Sequence, residues 1–168
     1  SEMCIRDRAI IGNGMPKMFA ALQANYRWKG LDVSVSFRGA FGFDILNAYR
    51  MKYETLAWLS SFNVPKSAYQ KVGEYYNFAP SIYSDRYIES GDYVKLDNLT
   101  IGYTFDLSQR NKVIRSIRVF CTGMNLLTIS GYSGLDPEVA IVGLTPGVDP
   151  INKYPNLRSY IVGASFNF

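Results

Sequence analysis

The 168-residue sequence predicts an all-β chain of antiparallel, up-and-down strands, the kind that builds a transmembrane β-barrel, with long extracellular loops. Three observations predict it. Residues 160–168 place Tyr160, Val162, Ala164, Phe166 and Phe168 on one parity and Gly163, Ser165 and Asn167 on the other, with Ile161 the exception. A strand ending in Phe-x-Phe suits an outward face that meets lipid, with its rings at the membrane interface. The connections alternate in length: Lys29-Gly30 is short, residues 44–91 long, residues 106–115 short and residues 128–156 long. An up-and-down sheet then has its short turns on one side, as periplasmic turns are in outer-membrane barrels. Parity and strand direction together bring Tyr26, Trp28, Tyr103, Phe105, Phe166 and Phe168 to that side of one face, where they read as a periplasmic aromatic girdle.

Composition agrees. Thirteen Tyr and ten Phe suit sheets and interfaces better than a helical bundle. The net charge of +4 comes from scattered Lys and Arg with no basic run, so no nucleic-acid partner is expected. The chain has no histidine, which removes His-based catalysis and most zinc or haem sites. No cofactor and no metal site is expected. No apolar run reaches the roughly 18 residues of a membrane helix, but a barrel strand needs only about 9–11 alternating residues.

In chain order, residues 1–8 fit no period and lack the apolar core of a signal peptide; they read as a non-native or scar segment. Cys4 falls there and Cys121 in a strand, which favours two free thiols over a disulfide framework. Residues 18–28 alternate, with Leu22 on the apolar parity and Gln23 on the other. Lys29-Gly30 is a two-residue turn signal. Residues 31–44 alternate again, Val33 and Val35 against Ser34 and Ser36. Residues 44–91 break the pattern, and Leu46, Tyr49, Tyr53 and Leu56 have spacing compatible with a short helix. Val64-Pro65 and Ala79-Pro80 punctuate the rest. This connection reads either as a large packed loop or as a ligand- or partner-facing one.

Residues 93–105 form the third strand, with Leu99, Ile101, Tyr103 and Phe105 on one parity. Lys95 and Asp97 share that parity, at a cost of about 2–4 kcal/mol for a charge at a membrane midplane and roughly 0–1 near the interface. They either lie at the far rim, the preferred placement, or a bulge near Asp97-Asn98 resets the register. Residues 116–127 form the fourth strand and 157–168 the fifth.

Several motifs carry a resemblance. Residues 85–103 read Asp-Arg-Tyr-Ile-Glu-Ser-Gly-Asp-Tyr-Val-Lys-Leu-Asp-Asn-Leu-Thr-Ile-Gly-Tyr. Gly123-Met124-Asn125-Leu126 follows, then Tyr132-Ser133-Gly134-Leu135-Asp136-Pro137-Glu138-Val139. With Ile11-Gly12-Asn13, Pro16-Lys17 and the aromatic last strand, these resemble the carboxyl-terminal end of the SusC/RagA family of TonB-dependent outer-membrane transporters. Met124 departs from the family's usual more polar residue. The resemblance covers nearly all of residues 11–168. It implies that residues 9–168 are the C-terminal strands of a TonB-dependent receptor β-barrel, with plug domain and TonB box absent.

The function implied is a fragment of an outer-membrane nutrient importer for glycans or peptides, located in a Gram-negative outer membrane. The implied partners are a SusD-like surface lipoprotein, the TonB complex through the missing N-terminal part, outer-membrane lipid and the barrel assembly machinery. Tyr49, Trp58 and Tyr132 are the residues offered for ligand or lid contact, although buried loop packing is the stronger expectation for each one singly, and Gly163, Phe166 and Phe168 are the expected assembly signal. An enzyme would have to use Asp136 with Glu138, or Asp85 with Glu89, yet Asp-Pro-Glu in one loop is better read as a turn. The alternative from another class is a soluble β-sheet binding module.

Overall fold

A computed structural model describes residues 9–70, 83–107, 113–140, 143–151 and 153–168. The expected scar segment, Cys4 and Ala79-Pro80 lie outside the described residues. The chain divides into two compact units.

The strand unit comprises Met18–Ala40, Tyr93–Ser130 and Pro155–Phe168. Five strands run along it: β1 (Met18–Trp28), β2 (Leu31–Phe41), β5 (Tyr93–Asp106), β6 (Ser116–Ser130) and β8 (Ser159–Asn167), with β2 running one residue beyond the unit. They hydrogen-bond in the order β1-β2-β5-β6-β8, and the registered pairs from β2 onward are antiparallel. The five expected strands are therefore present. At the β1–β2 turn Lys29 (φ 44°) and Gly30 (φ 90°) are both left-handed, the pair of conformations a two-residue hairpin turn with the right twist requires.

The register explains Lys95 and Asp97, and corrects the rim placement. Ser36 pairs with Asn98 and Phe37 with Leu96, so Asp97 is the extra residue of a bulge. Against β6, Leu96 pairs with Leu127 and Asn98 with Met124, leaving Asn125 and Leu126 without partners in the ladder. Asn125 takes the left-handed conformation (φ 53°), and its amide donates to the Leu157 carbonyl at 3.1 Å. A Cβ on Gly123 would stand 2.7 Å from Leu126, so the glycine makes room for that side chain. The Gly-Met-Asn-Leu motif is thus one wall of the bulge.

Beyond the bulge the parities switch. Val94, Leu96, Leu99, Ile101, Tyr103 and Phe105 fall on one face, in register with Val33, Val35, Cys121 and Val162. Lys95 falls on the opposite face with Arg38, whose Nε donates to Asp97 at 3.0 Å. There Ser34, Thr100 and Thr122 form a polar row, with the two Thr hydroxyls 2.8 Å apart. Asp32 and Arg118 bridge two strands above Gly102 through a two-pronged ion pair of 2.9 and 2.5 Å. The apolar face is exposed from Leu22 and Trp28 through Ile101 and Tyr103 to Val162 and Phe166.

The loop unit comprises Ser1–Lys17, Phe41–Asp92 and Gly131–Tyr154. Both long connections fold into it. It holds β3 (Asp44–Asn47), α1 (Ala48–Tyr53), α2 (Lys66–Gln70), β4 (Ile88–Ser90) and β7 (Val148–Asp149), plus 3₁₀ turns at Leu56–Trp58 and Asp85–Tyr87. Its sheet has the order β4-β3-β7, antiparallel between β3 and β4 and parallel between β3 and β7. Among the described residues, Phe43, Ile45, Ala48, Leu56, Ala68, Tyr87, Tyr132 and Val139 are its buried apolar residues.

The expectation of an all-β chain, and of transmembrane β-barrel strands, is therefore corrected. The described residues form a mixed α/β structure with two open sheets and no closed barrel, because β1 and β8 are edges rather than neighbours. The physical reason lies in the long connections. The expected short helix is there as α1, but the surrounding residues also bury apolar side chains and pair as strands, so the segment is a packed unit instead of a loop. No helix among the described residues is long and apolar enough to cross a membrane, a statement about helices alone.

Gly102 is a sharp test of the strand unit. A Cβ there would meet Arg118 Nη2 and both Asp32 carboxylate oxygens at 2.8 Å. Gly102→Ala should lower stability by roughly 1–3 kcal/mol, the usual cost of overpacking. Gly131→Ala, where nothing lies within 4 Å, should be near neutral. Thermal denaturation of the two variants side by side reads the difference.

Candidate functional site

The polar centre of the loop unit is Glu89, on β4. Its Oε1 accepts from Arg50 Nη1 at 2.5 Å, from Ser133 Oγ at 2.8 Å and from Asn47 Nδ2 at 3.3 Å, and its Oε2 accepts from the Ser133 backbone N–H at 2.7 Å. Each partner is placed by local structure. Asn47 is the N-cap of α1, its Oδ1 accepting from the Arg50 N–H at 3.0 Å. Arg50, one turn on, also donates to the buried Glu54 at 3.0 Å. Burial alone would raise the Glu89 carboxyl. The hydrogen bonds from Ser133 and Arg50, with the Arg50 charge, outweigh it and hold the group below its ordinary value.

Next to this centre Tyr132 is 8% exposed, and its hydroxyl donates to Asp149 at 2.6 Å. Burial, then the bond and charge of Asp149, push its phenol far above the ordinary range. A Cβ on Gly134 would stand 2.3 Å from the Tyr132 ring. Asp136 accepts from the Glu138 N–H at 3.0 Å, the expected Asp-Pro-Glu turn, and Lys153 donates to the Glu138 carbonyl. The Tyr-Ser-Gly-x-Asp-Pro-Glu motif therefore reads, residue by residue, as a latch onto β4, α1 and β7.

This chemistry is structural. A carboxylate saturated by an arginine and a serine is a poor general acid or base. Among the described residues no group of three or more Cys, Asp or Glu side chains is placed to hold a metal ion.

The surface beside α1 is different. Tyr49 is 51% exposed and Trp58 39% exposed. They are linked through two rings that the sequence did not offer as site residues, Tyr53 counting only as part of the helical spacing. Tyr49 stands 4.9 Å from Tyr53, Tyr53 5.5 Å from Phe62, and Phe62 is stacked 5.5 Å from Trp58. The signal that could have found Tyr53 and Phe62 is their four-residue spacing from Tyr49 and Trp58. Tyr49 and Trp58 are thus on the surface, whereas Tyr132 is buried and supports the latch.

In the strand unit Tyr26, Trp28, Tyr103, Phe105 and Phe166 are exposed, and the last three fall on the apolar face near the Lys29-Gly30 turn, with the Tyr103 and Phe105 rings 4.7 Å apart. Phe168 follows the end of β8 and is exposed. Gly163 lies on the other face, where Phe120 covers it at a distance that a Cβ would shorten to 2.5 Å.

No protein-family model matches the chain. Among curated proteins, TonB-dependent receptor P3 of Formosa agariphila is 27% identical over 99% of this chain, and TonB-dependent receptor SusC of Bacteroides thetaiotaomicron is 26% identical over 96% of it. The chain spans only 18% and 16% of those two receptors. The solved structure of the RagAB peptide transporter superposes with a TM-score of 0.71 at 24% identity, over 92% of this chain and 17% of that one. The chain is homologous at low identity to TonB-dependent receptors of the SusC/RagA family.

The latch carries a pH dependence. Because the folded Glu89 value is depressed, its contribution is complete above the ordinary carboxylate range and is lost as pH falls through the folded value. The protection of the Ser133 N–H against hydrogen exchange, taken relative to the free peptide at the same pH, should therefore fall on acidification. Glu89→Gln should leave that protection low and nearly independent of pH over the same interval.

Proposed function

We propose that this chain is a stretch near the carboxyl-terminal end of an outer-membrane TonB-dependent receptor that imports a nutrient, a glycan or a peptide. On this reading the complete receptor works with a SusD-like surface lipoprotein and takes energy from the TonB complex through parts outside this chain. One observation carries the reading: the match to TonB-dependent receptors runs through 96–99% of the chain. The resembling motifs also have defined work here, as bulge, latch and turn. No catalytic step is assigned. A soluble β-sheet binding module is the weaker reading, because one face of the five-stranded sheet is apolar and exposed across its strands.

The test is uptake of labelled oligosaccharides and oligopeptides by cells that carry the complete protein. Uptake of one of them should vanish on deletion of the gene and equally on loss of TonB. Uptake that persists without TonB would sink the proposal.

Within this reading, Tyr49 and Trp58 are proposed to contact the ligand or the lipoprotein lid. Aromatic anchors of this kind carry most of the affinity where they are used, so Trp58→Ala should weaken binding roughly tenfold. Titration of the purified receptor with its transported ligand, and separately with its lipoprotein, reads which contact is lost.

A further inference from the structure

At the Lys29-Gly30 turn an open cavity of about 390 Å³ lies within the strand unit, lined by Arg27, Trp28, Lys29, Leu31, Asp32, Thr104 and Arg118 along with Gly30. Three cations face it and one carboxylate. That carboxylate is already committed, since Asp32 is held by both prongs of Arg118. Arg27 is close enough to Asp32 for their charges to attract, but neither Arg27 nor Lys29 forms a salt bridge among the described residues. The cavity therefore carries surplus positive charge. Lys29 is held in place by the strained turn, with its ammonium 5.1 Å from the Trp28 ring centre. Trp28 and Leu31 supply an apolar wall, and Thr104 adds a hydroxyl.

We propose that this cavity binds a phosphate group. Arginine and lysine together suit phosphate, the one as a planar fork and the other as a point charge. The Asp32–Arg118 pair fixes the floor of the cavity, so Arg27 and Lys29 are the groups that read the anion. The apolar wall fits a phosphate carried on an apolar body, such as an anionic phospholipid headgroup. Free phosphate shares the recognising chemistry without using that wall.

The experiment uses the complete receptor in uncharged detergent, titrated with dihexanoylphosphatidylglycerol, dihexanoylphosphatidylcholine and inorganic phosphate. Binding is read by calorimetry. Phosphatidylglycerol should bind about tenfold tighter than phosphatidylcholine, and the Arg27→Gln/Lys29→Gln variant should lose that preference. The control variant Lys66→Gln/Arg158→Gln removes two exposed charges elsewhere and should retain it. Inorganic phosphate that binds as tightly as phosphatidylglycerol, with the same dependence on Arg27 and Lys29, supports the site and assigns it to a free anion. Equal affinities in the wild type and the Arg27→Gln/Lys29→Gln variant, or an equal loss in the control, would overturn the proposal.

Discussion

A single extra residue in β5 governs the strand unit. If β5 ran without a bulge, Lys95 and Asp97 would project from the same face as Leu99, Ile101 and Tyr103. Asp97 breaks the count, and the face becomes apolar along its length while both charges pass to the side of Arg38. Lys95 is then only 2% exposed. Its neighbours in the ladder are Arg38 and Thr128, so it lies on the polar side of the sheet. The bulge is matched on β6 by a left-handed asparagine and a glycine, so two strands that share no sequence similarity are bound to change together.

The loop unit answers to a different constraint. It has few regular elements and a small apolar core, and its cohesion comes from one carboxylate that collects a helix, a strand and a distant turn. Four hydrogen bonds converge on Glu89 from Asn47, Arg50 and Ser133. The helix is too short to stand alone, since six residues lie far below the length at which isolated helices persist. The capping asparagine and the arginine one turn on are both tied to the same acceptor, so the helix is positioned by the network as much as by its own backbone.

What could be read from the sequence follows from what is local. Alternation along Met18–Trp28 and Leu31–Phe41, with Lys29-Gly30 between them, contains the whole hairpin, because strand faces and turn conformation are written in neighbouring residues. The same holds for the Asp136-Pro137-Glu138 turn. The bulge was legible only as one of two options: Lys95 and Asp97 signal a conflict of parity, but the choice depends on pairing with β2 and β6. The loop unit was hidden for the same reason. Val148–Asp149 is two residues long, and its parallel pairing with β3 leaves no periodic signal. The role of Tyr132 was equally hidden, because its hydrogen-bond partner, Asp149, lies on β7, 17 residues further along the chain. The fold class failed on these tertiary contacts, whereas the five strands did not depend on them.

The parallel pairing of Leu46 with Val148 has a consequence for assembly of the polypeptide. In the strand unit the β1–β2 and β5–β6 pairs have short connections and can each form between neighbouring stretches of chain. The loop unit cannot, because its central strand waits for a partner that emerges from synthesis only after β5 and β6. Closing so long a span costs entropy before any contact repays it, and non-local pairings of this kind are slow to form. Glu89 and Arg50 can meet early, but Ser133, Tyr132 and Asp149 arrive late. The β3–β7 pairing of the loop unit is therefore a late contact, and only β8 of the strand unit emerges after it.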